Sequence, residues 1–254
     1  MRVVHYSNIG KRSTNEDHLG VNDNCLVVCD GVGGQQKGEV ASTFVVNRVL
    51  EKTKDAQIVS ADDLKHVAHE VQQEILQEDE QLKGMATTLA MVYTSKNGLF
   101  TLHIGDSRII IVKKDGRYWQ TWDHSVVATM VKLGEISLQE ARVHPLKNQI
   151  TNAIVTHSKG KMASPEVNFL SDIEAGDLCF ICTDGVLEAF EEKELILLLG
   201  STQLSLDQKL DAIKQQCLQL SRDNNSAILG EFESSDIELF TNYPSTWTKI
   251  TGEP

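Results

Sequence analysis

Leu26-Val27-Val28-Cys29-Asp30-Gly31-Val32-Gly33-Gly34 is the stretch on which the fold turns. Leu26 to Cys29 is a continuous apolar run, the mark of a strand buried on both faces. It delivers Asp30 into a glycine-rich turn. Two other strand-like runs end the same way: Leu99 to Ile104 before Gly105-Asp106-Ser107-Arg108, and Leu178 to Thr183 before Asp184-Gly185. Asp17 in Asn15-Glu16-Asp17 and Asp223 in Arg222-Asp223-Asn224 complete a set of aspartates in turn-rich settings. Carboxylates at strand ends can converge on one point. With almost no histidine or cysteine beside them, that point is expected to be an all-oxygen site for hard divalent cations.

Around this stretch, Arg2 to Ser7 and His18 to Val21 read as short strands. Glu39 to Lys52 and Ala61 to Leu82 read as amphipathic helices, the second with an N-cap in Ser60-Ala61-Asp62-Asp63. His66 and His69 fall on its solvated face. Thr87 to Thr94, Leu99 to Ile104, Arg108 to Lys113 and Tyr118 to Trp122 read as consecutive strands. Ser95-Lys96-Asn97-Gly98, Gly105-Asp106-Ser107 and Lys114-Asp115-Gly116 join them as hairpin-type turns, which predicts antiparallel pairing. Strands follow at Glu166 to Leu170, Leu178 to Thr183 and Ser226 to Phe232, with helices at Leu187 to Leu199 and Leu206 to Leu220. Blocks of antiparallel strands and blocks of helices predict α+β layers, not alternating β-α-β units.

The 254 residues carry 24 Lys+Arg against 36 Asp+Glu, a formal net charge of −12. Such a chain is a poor candidate for nucleic acid or an anionic membrane, since phosphate backbones need positive charge. No apolar run is long enough to span a bilayer, and Met1-Arg2-Val3-Val4-His5-Tyr6-Ser7 is no signal peptide. The 5 cysteines make a disulfide framework improbable. Cys179 and Cys182 have C-x-x-C spacing, but on a strand their thiols point to opposite faces. The expected location is the cytoplasm, with the chain a monomer. No linker rich in Pro, Gly or Ser divides the chain, so one domain is expected over residues 1–233, with a C-terminal extension over 234–254.

Set in order, the motifs resemble the metal-dependent protein serine/threonine phosphatases of type 2C, especially the compact bacterial ones. The match covers roughly residues 2 to 232. It runs through Gly10-Lys11-Arg12-x-x-Asn15-Glu16-Asp17, Val28 to Gly34, Gly84-Met85-Ala86-Thr87-Thr88-Leu89 and Gly105-Asp106-Ser107-Arg108. Asp123-His124-Ser125, Gly134-Glu135-Ile136 to His144-Pro145, Cys182-Thr183-Asp184-Gly185-Val186 and Arg222-Asp223-Asn224 follow. Any one of these occurs by chance in turns; six or more in family order do not. The resemblance implies a sandwich of two antiparallel sheets flanked by helices on both sides, with a flap subdomain at about 125–152.

It also implies a mechanism. Two Mn²⁺ or Mg²⁺ ions would be bridged by Asp30, with the Gly31 carbonyl as a further ligand to one and Asp184 and Asp223 binding the other. Glu16 and Asp17 would act through coordinated waters, and Asp106 with Asp184 would form a weaker third site. Arg12 would clamp the substrate phosphate, a bidentate task that Lys11 could not match. Val32 stands where many eukaryotic relatives carry a histidine thought to protonate the leaving alkoxide. His144 in the flap is a candidate for that proton; a structural histidine before Pro145 is the other reading. Asp123 and His124 would cap the helix that follows them, Arg108 would brace the Gly105 turn, and Ser226 replaces the usual threonine while keeping its hydroxyl. The implied substrate is a phosphoserine or phosphothreonine protein made by a bacterial Ser/Thr kinase, with type VI secretion control as one setting. The alternatives are a non-catalytic phosphoprotein-binding module of the same fold, or a partner-switch phosphatase acting on an anti-sigma-factor antagonist.

Overall fold

The computed structural model describes residues 1–32, 37–76, 84–96, 98–156, 161–236 and 248–249. Gly33, Gly34, Asn97, the end of the second predicted helix and the tail aromatics Phe240, Tyr243 and Trp247 lie outside them.

Two antiparallel sheets form the centre. The first has the order β1 (Arg2–Asn8), β12 (Asn225–Glu231), β11 (Leu178–Cys182), β7 (Arg108–Val112), β8 (Arg117–Gln120), β13 (Thr248–Lys249). The second runs β10 (Glu166–Leu170), β6 (Gly98–Ile104), β5 (Leu89–Ser95), β3 (Cys25–Val32), β4 (Ala86–Thr87), β9 (Ile154–Val155), and β2 (Asp17–Val21) also pairs with β3. Helices α1 (Gly38–Lys54) and α2 (Ala61–Leu76) cover the second sheet. Helices α5 (Asp184–Ala189), α6 (Glu192–Gly200) and α7 (Leu206–Leu220) cover the first. Two short helices, α3 (Val126–Lys132) and α4 (Leu138–Val143), lie in the segment 125–152.

The buried side chains show why β3 and β11 read as unbroken apolar runs. Cys25, Val27 and Cys29 pack under α1 and α2, while Leu26 and Val28 point between the sheets. On β11, Cys179 and Ile181 face the other sheet, while Leu178, Phe180 and Cys182 face the helices. Each central strand is therefore apolar on both sides. The C-x-x-C thiols do point to opposite faces, and all five cysteines are free and buried. None of the described helices is long and apolar enough to cross a membrane.

Four local expectations need correction. Gly105-Asp106-Ser107 is not a hairpin turn: it carries the chain from β6 in one sheet to β7 in the other. The helix expected over Leu187 to Leu199 is two helices. Phe190 is extended (φ −127°, ψ 143°) and buried, and Glu191 opens α6 through a reciprocal capping box with Glu194. Thr87 to Thr94 is interrupted at Thr88, which separates β4 from β5. Asp123 and His124 do not cap α3; Ser125 does, its Oγ accepting from the Ala128 N–H at 3.2 Å.

Candidate metal centre

The aspartates converge where the two sheets meet. Asp30 lies within β3, which runs on to Val32, and Asp17 opens β2 directly opposite it. Asp184 does not enter a glycine turn: it is the first residue of α5. Asp106 occupies the crossover between sheets, and Asp223 sits in the loop before β12. Of the five, Asp17 is buried and the others half-buried.

Hydroxyl groups place Asp30. At this residue β3 changes partner from β5 to β4, and Thr88 bridges the break. The Asp30 N–H donates to Thr88 Oγ1 (2.9 Å), and the Asp30 carbonyl accepts from the Thr88 N–H (2.8 Å) and Thr87 Oγ1 (2.9 Å). Thr88 Oγ1 also lies 2.7 Å from Ser107 Oγ, tying Asp30 to the Asp106 crossover. Thr183 Oγ1 donates to Asp17 Oδ2 (2.9 Å) and accepts from the Ser226 N–H (3.0 Å). The Ser226 hydroxyl is retained in use, 2.8 Å from Ser7 Oγ.

The Asp223 loop is threaded between two glycines. A Cβ on Gly185 would lie 1.9 Å from the Asn224 carbonyl oxygen, and one on Gly10 would lie 2.0 Å from that of Asp223. Gly10 also holds φ +61°. Gly31 serves a similar close approach, since its Cβ would lie 2.3 Å from the backbone of Gly38 at the start of α1. The Asn224 side chain anchors the N-terminal loop, donating to the carbonyls of Ile9 (2.8 Å) and Thr14 (2.9 Å) and accepting from the Glu16 N–H (2.8 Å). Glu188 accepts from the N–H groups of Arg222 (2.7 Å) and Asp223 (3.3 Å). Thr88, Thr183, Glu188 and Asn224 are thus positioning residues that sequence reasoning missed. Three of them stood inside quoted motifs, but their partners lie far away in sequence.

Electrostatically this is a cluster of carboxylates repelling one another. Burial pushes Asp30 well above the usual carboxylate range, and Asp184, Asp17 and Asp106 push it further. Burial raises Asp106 strongly too, with Asp184 and Asp123 adding to it. Asp17 is pushed up to about 7 by burial, against the hydrogen bonds from Ser226 and Thr183. Asp184 is pushed up to about 6 by burial and by Asp223. Burial and Glu39 raise Glu16. Asp17 Oδ1 and Asp184 Oδ1 are buried, with no hydrogen-bond partner among the described residues. Orphaned oxygens in a crowded all-oxygen donor set fit Mg²⁺ or Mn²⁺, whose charge would relieve the repulsion. Beside the cluster, Arg12 Nη2 donates to Asp223 Oδ2 at 2.5 Å and is otherwise exposed.

Two histidine expectations separate. His144 is the C-cap of α4; its Nδ1 accepts from the Leu146 N–H at 3.2 Å. His124 instead supports the Asp106 crossover, where its Nδ1 accepts from the Gly105 N–H at 3.1 Å. With His103 and Glu166 it forms a group spaced like metal ligands. Acceptance at Nδ1 puts the ring proton on Nε2, 3.7 Å from Glu166, so a metal there would have to displace both the proton and the Gly105 bond. Arg108 grips Asp123 through Nε (3.0 Å) and Nη2 (2.5 Å) and reaches Glu192 at 3.6 Å.

Known proteins share this chain's sequence pattern and fold. The family model for protein phosphatase 2C matches residues 5–224. A Streptococcus pyogenes chain provisionally named a 2C-type protein phosphatase is 34% identical over 252 residues, covering 94% of this chain and 100% of that one. The crystal structure of the Mycobacterium tuberculosis serine/threonine phosphatase PstP superposes with a TM-score of 0.81 at 27% identity, covering 91% of this chain and 98% of that one. The catalytic domain of PstP in complex with two manganese ions gives 0.76 at 26% identity, covering 91% and 97%. The chain belongs to the protein phosphatase 2C family, the metal-dependent serine/threonine protein phosphatases.

Proposed function

We propose that this chain hydrolyses phosphoserine and phosphothreonine in proteins, opposing a bacterial Ser/Thr kinase, with residues 1–233 as the catalytic domain, 125–152 as its flap and 234–254 as an extension. The observation that carries the reading is the crowded, largely half-buried carboxylate cluster with orphaned oxygens beside an exposed guanidinium. Asp30, Asp184 and Asp223 would hold two divalent ions, with the Gly31 carbonyl completing one site and Asp106 contributing to a weaker third. Bound there, such ions would activate water and neutralise charge on the phosphoryl group.

The chain's own residues do the rest. Asp30, central to the electrostatics, is the carboxylate best placed to be shared. Glu16 and Asp17 would hold waters beside such ions. Arg12 lies at the solvent edge, where its planar fork suits two phosphate oxygens. It pairs with Asp223 until a phosphate arrives. Phosphoprotein recognition by an acidic surface favours basic residues around the phosphosite. Control of type VI secretion is not part of the proposal, because nothing in the site bears on it.

The test is hydrolysis of a phosphothreonine peptide by metal-stripped protein, with and without Mn²⁺ or Mg²⁺, beside Asp30→Ala and Asp184→Ala. Turnover that requires metal and vanishes in both variants is expected. A folded protein inert with either metal would shift the reading to a phosphoprotein-binding module.

A further inference from the structure

A cavity of about 600 Å³ opens from the carboxylates, with Asp106, Asp184 and Asp223 on its wall, and runs between the flap and the α5–α6 corner. Its volume lies within the roughly 300–1,000 Å³ of functional pockets. Val127, Val131 and Leu138 line it from the flap, and Leu187 and Phe190 from the corner.

Several of its charged groups already have partners. Arg108 is held by Asp123 and Glu192. Arg142 donates to the Phe190 carbonyl (2.7 Å) and pairs with Glu191 (3.2 Å), pinning the flap to the corner. Glu188 accepts from the Arg222 and Asp223 backbone. With these engaged internally, much of what the wall offers a visitor is apolar. Leu138 at 51% and Val143 at 83% exposure extend that character along the flap.

We propose that this cavity receives an apolar side chain immediately flanking the phosphorylated residue of the substrate protein, so that the flap selects phosphosites by an apolar neighbour. This rests on the phosphatase reading above and adds a substrate preference to it. The occupant follows from continuity: the cavity shares three wall residues with the proposed metal centre, so a chain with its phosphate at the carboxylates has its flanking residues at the opening. An apolar pocket discriminates among side chains by roughly 10- to 200-fold.

The experiment uses the Mn²⁺-loaded full chain and phosphothreonine peptides identical except for Leu, Gly or Asp on either flank of the phosphothreonine. p-Nitrophenyl phosphate, which has no flanks, runs in parallel. Val131→Asn and Leu138→Asn alter the wall from a half-buried and an exposed position. The Leu peptide is expected to exceed the Gly peptide in kcat/KM by at least about tenfold. Either variant should remove that advantage while leaving p-nitrophenyl phosphate within about twofold. Equal turnover of the Leu and Gly peptides overturns the proposal, as does a uniform loss on every substrate in both variants. No hydrolysis of anything, p-nitrophenyl phosphate included, overturns the phosphatase reading and this proposal with it.

Discussion

Gly185→Ala tests whether the metal centre depends on the close approach of two chain segments. Asp184 and Gly185 begin α5, while Asp223 and Asn224 lie in the facing loop. The alanine Cβ would stand 1.9 Å from the Asn224 carbonyl oxygen and 2.9 Å from its carbon. Both neighbours are backbone, so neither can swing aside. The segments must part by about 1.5 Å to bring 1.9 Å to an ordinary contact at 3.4 Å, whereas metal–ligand distances hold within about 0.2 Å. The displacement falls between two proposed ligands. Mn²⁺ affinity is therefore expected to fall by roughly 10- to 100-fold, the range seen when supporting groups of a metal site are lost. The added methyl should also cost about 1–3 kcal/mol of stability as overpacking. Calorimetric titration of metal-stripped protein measures the first effect, and thermal melts the second. Gly116→Ala is the control: it has φ +86° and nothing within 4 Å of its Cβ, in the β7–β8 hairpin away from the carboxylates. It should lose stability without losing Mn²⁺. A folded Gly185→Ala that binds Mn²⁺ as tightly as the parent would refute the reasoning.

Three further outcomes are expected. Arg12→Ala should lower kcat/KM on a phosphopeptide by roughly 10- to 100-fold, in line with about 1.5–3 kcal/mol for hydrogen bonds to charged groups. It should leave Mn²⁺ affinity equal or higher, because Asp223 loses a competing partner; Arg12→Lys should recover only part of the rate, and weakened Mn²⁺ binding in Arg12→Ala would contradict this assignment. In metal-free protein the raised carboxyls of Asp17 (about 7) and Asp184 (about 6) keep protons that the unfolded chain has already released, since its aspartates titrate near 3.8. Their contribution to stability is full below about pH 4 and is lost as pH rises through about 6–7, so Tm in chelator should fall over that window, less so in Asp17→Asn, while the Tm gain from Mn²⁺ should grow; a chelated protein whose Tm rises across the window counts against the carboxylate cluster. His144→Ala should slow phosphothreonine hydrolysis more than p-nitrophenyl phosphate hydrolysis if the imidazole protonates the leaving group, and equal effects would leave it only its place at the end of α4.

The sequence made the five aspartates legible by residue type, because oxygen-rich carboxylates in turn-rich settings suit a divalent-cation site. Strand-to-turn patterning marked Asp106 correctly, whereas Asp30 lies within β3 and Asp184 opens α5. Both faces of β3 and β11 were legible too, since a strand buried on both sides leaves no alternation to misread. Which sheet a strand joins was not. Gly105-Asp106-Ser107 has the composition of a hairpin turn, yet β6 and β7 find their partners in different sheets, and only their packing decides this. Asp184 was read as the end of a strand, although Thr183-Asp184 also suits the opening of a helix, with an acid in its first turn. The positioning residues were hidden for another reason. Glu188 sits in an ordinary helical pattern, and its partners are 33 to 35 residues away. Gly10 and Gly185 were legible only as members of local motifs, but the third segment that passes between them makes their missing side chains matter. Ligand identity is a property of single residues and can be read in one dimension. The geometry that brings Asp184 and Asp223 together belongs to pairs of segments, and so it appeared only when the chain was folded.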